Sequence, residues 1–157
     1  MPDSPNFDPE SAHRHFAVRC FDDSWALITK TTRTPDEDEA LVALGHASLW
    51  HWTRRPDCSD KNLSIGYWLL ARIYCVTLRV EGAERYAERC LELSQRPSVP
   101  AYFLACAHEA CARAASIRRD TEGRNEHLRL ARRIAETLDN ERERKMLTDD
   151  LATISGA

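Results

Sequence analysis

An all-α chain is predicted by three observations. Apolar residues recur at i, i+3, i+4, i+7, i+8 and i+11 in segment after segment, which lays one buried stripe along a 3.6-residue helix. No segment sustains the period of two that a half-buried strand requires. Helix-start signals recur as well: Asp8 before Pro9, Thr34-Pro35 with Glu37, and Asn140 with Glu143. Seven helices follow, read as three antiparallel pairs at about 9–53, 61–94 and 99–138 and a terminal helix at 141–154, in a single domain spanning 1–157.

The first helix, 9–30, carries Ala17, Cys20, Phe21, Ser24, Trp25 and Ile28 in register, with Asp8 as N-cap and Pro9 where its missing N–H costs nothing. The second opens on a capping box between Thr34 and Glu37, and its stripe is Leu41, Leu44, Gly45, Ser48, Leu49 and Trp52. Its acidic run, Asp36 to Glu39, complements the positive end of the helix dipole. The third, 61–80, is apolar around most of its circumference, so it is expected at the centre. Gly82 is read as the turn into the fourth, 83–94, and Pro97 and Pro100 follow its end. The fifth, 99–119, is dense in alanine from Ala105 to Ala115, which permits close axial approach. In the sixth, 124–138, the run Leu130 to Glu136 parallels Tyr86 to Glu92. The seventh shows a narrow stripe, Met146, Leu147, Leu151 and Ile154, among charged residues, as a terminal cap requires.

Composition limits the function. The net charge of −3, from 22 basic and 25 acidic residues, disfavours nucleic acid or an anionic membrane as partner. The start, 1–10, has no basic segment followed by an apolar one, and no apolar run approaches membrane-spanning length, so a cytoplasmic protein is expected. Of six cysteines, Cys20, Cys75, Cys90, Cys106 and Cys111 fall within helical patterns and read as small buried hydrophobes, leaving Cys58 as the exposed one.

Tyr67, Leu70, Ala71, Tyr74, Ala83, Ala87 and Cys90 lie near the spacing of a tetratricopeptide helical hairpin. On these residues the chain resembles the tetratricopeptide-repeat-like superfamily. It is also similar to a bacterial family of that class with no assigned activity, through Ala47 to Trp52 and Trp68 to Tyr74. The resemblance implies hairpins stacked into one compact right-handed array with a C-terminal capping helix. Ala87 stands where the repeat usually has a large residue, Gln95 where it has proline, and His108 where it has tyrosine.

The resemblance also implies a ligand face lined by the first helix of each pair, which here selects Trp68, Arg72, Tyr102, Cys106 and Glu109. An aromatic beside an arginine and a carboxylate suits a peptide segment. The alternative is that Trp68 and Tyr102 are core between pairs and Arg72 is ion-paired. A second candidate surface is His46, Trp50 and His51; Trp50 and His51 either pack under the loop 54–60 or meet a partner. His46 and His51 are separated by roughly 140° about the helix axis and cannot share a metal.

Cys106, His108 and Cys111 do not converge on one helix face, and no HExxH, paired CxxC or glycine-rich phosphate loop is present. No metal, cofactor or catalytic residue is therefore expected. Arg113, Arg118, Arg119, Arg124, Arg129, Arg132 and Arg133 gather near the end of the third pair, but interspersed glutamates dilute them. The expected function is a helical scaffold for a protein or peptide, with a homodimer through the first pair as one form. The alternative is a small-molecule binder or enzyme with a pocket between the third and fifth helices, using Trp68, Arg72, His108 and Glu109.

Overall fold

The computed structural model describes residues 8–154, so the segment 1–7 read above for a secretory signal lies outside the described residues. Among those residues the chain is all-α, with seven helices: α1 Pro9–Ile28, α2 Pro35–Thr53, α3 Asp60–Val76, α4 Val80–Ser94, α5 Ala101–Arg118, α6 Thr121–Glu136 and α7 Glu141–Ala152.

The expected caps form. Asp8 accepts from the amides of Glu10 and Ser11, each at 3.1 Å. The amide of Glu37 donates to Thr34 Oγ1 at 3.2 Å while that of Thr34 donates to Glu37 Oε2 at 2.9 Å, so two orphan N–H groups are satisfied reciprocally. Asn140 accepts from Arg142 and Glu143. The starts of α3 and α6, like those of α4 and α5, differ from expectation. Ser59 and Asn62 form a further capping box that opens α3, and Asp120 accepts from the Gly123 amide at 2.9 Å, which begins α6 three residues early.

The turn between α3 and α4 also differs. Gly82 lies inside α4, and the turn is built by Thr77, Leu78 and Arg79, with Leu78 in the left-handed region at φ 57°. The amide of Arg79 donates to the Tyr74 carbonyl at 2.8 Å and that of Leu78 to Cys75 at 3.1 Å, which satisfies two carbonyls at the end of α3. Gly82 serves packing instead. A Cβ there would stand 1.8 Å from Tyr74 Cδ1, so the ring of Tyr74 takes the space a side chain would need.

Residue contacts group the chain into two compact units, divided between Cys58 and Ser59. In the first, the start of α1 meets the end of α2, which makes the pair antiparallel. Ala17, Leu41, Gly45 and Ser48 are buried, and Ser48 Oγ donates to the Ala17 carbonyl at 2.7 Å, an approach that small side chains allow. Trp52 holds the following loop through Arg55, whose guanidinium lies 3.8 Å from its ring centroid.

In the second unit α3 packs on α4 and α5, and α5 packs on α4, α6 and α7. Leu69, Leu70, Ala71 and Ile73 have no exposed surface, so α3 is central as expected. Ser64, Ser94 and Cys90 pin the open end of the α3–α4 pair, with the two hydroxyls 2.6 Å apart. Ala71, Ala83, Ala87, Ala110 and Ala114 form one core cluster; Ala105, Ala112, Leu128 and Ala131 join Leu147, Leu151 and Ile154 of the α7 region in another. Met146, expected on the buried stripe of α7, is half exposed, because only one face of that helix meets α5 and α6.

Candidate functional site

Trp68 and Arg72 are four residues apart on α3, and Glu109 and Arg113 are four apart on α5, so each pair projects from one helix face. Packing α3 on α5 brings the four together. Trp68 Nε1 donates to Glu109 Oε2 at 2.9 Å, Arg72 Nη2 to Oε1 at 3.0 Å, and Arg113 Nε to Oε1 at 2.7 Å. The guanidinium carbon of Arg72 lies 5.5 Å from the Trp68 ring centroid. The Glu109 side chain is 1% exposed, against 9% for Arg72 and 14% for Arg113. A carboxylate this deep is sustainable because two guanidinium groups and an indole supply its hydrogen bonds.

The last turn of α7 completes the arrangement. Arg72 Nη2 also donates to Asp150 Oδ1 at 3.2 Å, and Arg113 Nη2 to the Asp150 carbonyl at 3.1 Å and Thr153 Oγ1 at 2.8 Å. Cations there suit the negative end of the helix dipole. Tyr102 and Cys106 pack against the core cluster that includes Leu147, Leu151 and Ile154. Burial first, and then Cys106, pushes the Tyr102 phenol above its ordinary range; burial pushes the Cys106 thiol up to about 12.

Three of the five residues selected for a ligand face, Trp68, Arg72 and Glu109, are thus in direct contact, and the other two, Tyr102 and Cys106, line the bed of α7. The face is covered by α7 rather than displayed. Arg113, grouped above with a basic surface, turns inward to Glu109, while Arg118 pairs with Glu84 and Asp120 and Arg129 with Glu126. Asp150 was not selected at all. Its i+3 spacing from Leu147 was the available signal, since that places it on the buried side of α7. His108 does not join Glu109; its Nδ1 lies 3.0 Å from Nδ1 of His127 on α6. Burial, then the neighbouring imidazole, holds His108 down at about 4, and burial lowers His127 too. Among the described residues no group of three or more His, Cys, Asp and Glu side chains could hold a metal ion.

In the first unit, Trp50 and Phe16 are about half exposed, at 55% and 46%. Trp50 does not pack under the loop; Trp52 performs that task. Around them stand His13, 5.3 Å from the Trp50 ring centroid, and His51, 4.9 Å from Trp50 and 5.4 Å from Phe16. His13 and His51 share a 2.8 Å contact between their Nδ1 atoms. Burial, then His13, lowers the pKa of His51. His46 is half-buried on another side of α2.

Cys75, Cys90 and Cys111 are buried, which pushes their thiols up to about 12, 11 and 12, and Cys20, Cys58 and Cys106 are half-buried. Cys58 is therefore less open than expected. None of the six forms a disulfide. The chain matches no protein-family model, no curated protein and no solved structure, so its own geometry carries the functional reading.

Proposed function

We propose that the chain is a non-catalytic helical scaffold of the tetratricopeptide-repeat-like kind, working by association with other protein surfaces, and that a second copy of the chain docks on the aromatic face of α1 and α2. One observation carries this reading: two large aromatic side chains, Phe16 and Trp50, stand half exposed on one patch with His13 and His51. Exposed clusters of this type mark association sites, and tryptophan is prominent among residues whose truncation weakens binding.

The choice of a second copy rests on charge. An isologous interface sets a patch against itself, so a strongly charged patch would repel. Here the fixed charges lie beside the aromatics and are already paired, Arg14 with Glu10 at 2.9 Å and with Asp57 at 3.5 Å. The lowered pKa of His51 keeps it neutral near pH 7. A cytoplasmic location belongs to the same reading and is supported by Cys20, Cys75, Cys90, Cys106 and Cys111, whose free thiols suit a reducing compartment. Among the described residues no helix is long and apolar enough to cross a membrane.

Size exclusion with light scattering tests the proposal on the full chain. A two-chain mass is expected at neutral pH, with Trp50→Ser reduced to a one-chain mass and unchanged helical circular dichroism. Acidification should weaken the dimer, because protonated His51 would place positive charge on both faces. A one-chain mass for the wild type at high concentration would reject it.

A further inference from the structure

We propose that α7 is the internal occupant of a helix-binding groove on α3, α5 and α6, and that the carboxyl-terminal turn of a partner's amphipathic helix takes its place. This surface is separate from the one on α1 and α2, and the inference does not depend on dimer formation.

The recognition chemistry is visible in how α7 is held. Leu147, Leu151 and Ile154, at i, i+4 and i+7, enter the core, while Asp150 at i+3 meets Arg72. Arg113 binds the Asp150 carbonyl and the Thr153 hydroxyl in the closing turn, adding to the bond that this carbonyl accepts from the Thr153 amide at 3.1 Å, a contact made at the end of a helix. The fitting partner is therefore a helix that ends in the groove, with apolar residues on this spacing and a carboxylate in its last turn.

The floor of the groove stands ready without α7. Glu109 holds Trp68, Arg72 and Arg113 through bonds in which α7 takes no part. Undocking would release Arg72 from Asp150 and Arg113 from Asp150 and Thr153, and the Asp150 side chain is already 40% exposed. The arginines would remain oriented by a buried anion, which lowers the ordering cost of receiving another helix. Beside Thr153 and Ile154, a cleft of about 140 Å³ is lined also by Cys75, Val76, Arg113, Ser116 and Ile117.

The tether favours the internal helix, because a covalently linked segment competes at an effective concentration that reaches the millimolar range for short linkers. A free helix therefore gains access when α7 is weakened. The experiment uses full-length protein and a fluorescently labelled synthetic peptide spanning residues 139–157. Wild type should bind it poorly. Asp150→Lys, which sets a cation against Arg72 and Arg113, should bind the same peptide about ten-fold or more tightly. A peptide that itself carries Asp150→Lys should not bind that variant. If the variant keeps its helical circular dichroism and still fails to bind the unmodified peptide, the proposal is overturned. Hydrogen exchange on the wild type decides the matter if the variant does not fold: α7 amides should exchange as a unit well before those of α5, and equal protection would refute an exchangeable helix.

Discussion

Arg72 of α3 and Asp150 of α7 are 78 positions apart in the chain and 3.2 Å apart in space. Arg72 stands between two carboxylates: Glu109, the most deeply buried charge of the site, orients it from below, and Asp150 meets it from the solvent side. The two carboxylates have unequal roles because their exposure differs so widely.

Removing the inner charge should therefore cost far more than removing the outer one. Glu109→Gln keeps an acceptor for Trp68 but leaves Arg72 and Arg113 without their buried anion, and a loss of about 3–5 kcal/mol is expected. Asp150→Asn should cost under about 1 kcal/mol, since its partner keeps Glu109 and solvent screens the pair. Urea denaturation of both variants measures the difference; equal costs would show that Glu109 is not the centre of the network.

Gly82→Ala should destabilise by about 1–3 kcal/mol. The added methyl would meet the ring of Tyr74, which itself packs on Tyr86 with centroids 5.1 Å apart, so the ring has little freedom to withdraw. Helix propensity predicts the opposite sign, a gain of nearly 1 kcal/mol. Thermal melts distinguish the two, and a raised Tm would mean that Tyr74 moves aside easily.

Leu78→Gly should stabilise. Leu78 has φ 57° and is 74% exposed, so the substitution relieves left-handed strain of about 1–2 kcal/mol while sacrificing little packing. Greater freedom of glycine in the unfolded chain returns part of this, leaving a net gain of about 0.5–1 kcal/mol. Leu78→Val should lose stability, since a β-branched residue fits this conformation poorly. A lower Tm for Leu78→Gly would contradict the strain argument.

His108 should make the fold sensitive to acid. In the unfolded chain its imidazole takes up a proton near pH 6.5, whereas in the folded protein it does so only at about 4. The unfolded state therefore binds more protons as pH falls from about 6.5 towards 4. Stability drains away across that window and the loss is complete below it. The groups that moderate the effect are Glu126, which faces both imidazoles, and Asp120, which faces His127. Between pH 7 and 4 the wild type should lose on the order of 2 kcal/mol more than His108→Gln. Parallel urea titrations at several pH values would show this, and indistinguishable pH profiles would reject it.

Caps that lie within four residues of the helix they start could be read directly, which is why Asp8, Thr34 with Glu37, and Asn140 were placed correctly. Gly82 misled because glycine is the usual marker of a left-handed turn, whereas here Leu78 takes that conformation and Tyr74 claims the space beside Gly82. Trp50 and Trp52 were indistinguishable by type; only the position of Arg55 decides which one holds the loop. Trp68, Arg72 and Glu109 could be selected together from helical spacing, but their burial could not. Arg113 reads as surface in any one-dimensional pattern, because a charged side chain is kept inside only by partners that lie elsewhere in the chain.

The amino-acid sequence by itself determined seven helices and their order, because helix formation rests on hydrogen bonds and side-chain neighbours within about four residues. Tertiary structure alone decided that Glu109 is a buried anchor, that α7 fills the face lined by Tyr102 and Cys106, and that Phe16 and Trp50 remain in solvent. Desolvation and ion pairing depend on distances between residues far apart in the chain, and those distances exist only once the helices have packed.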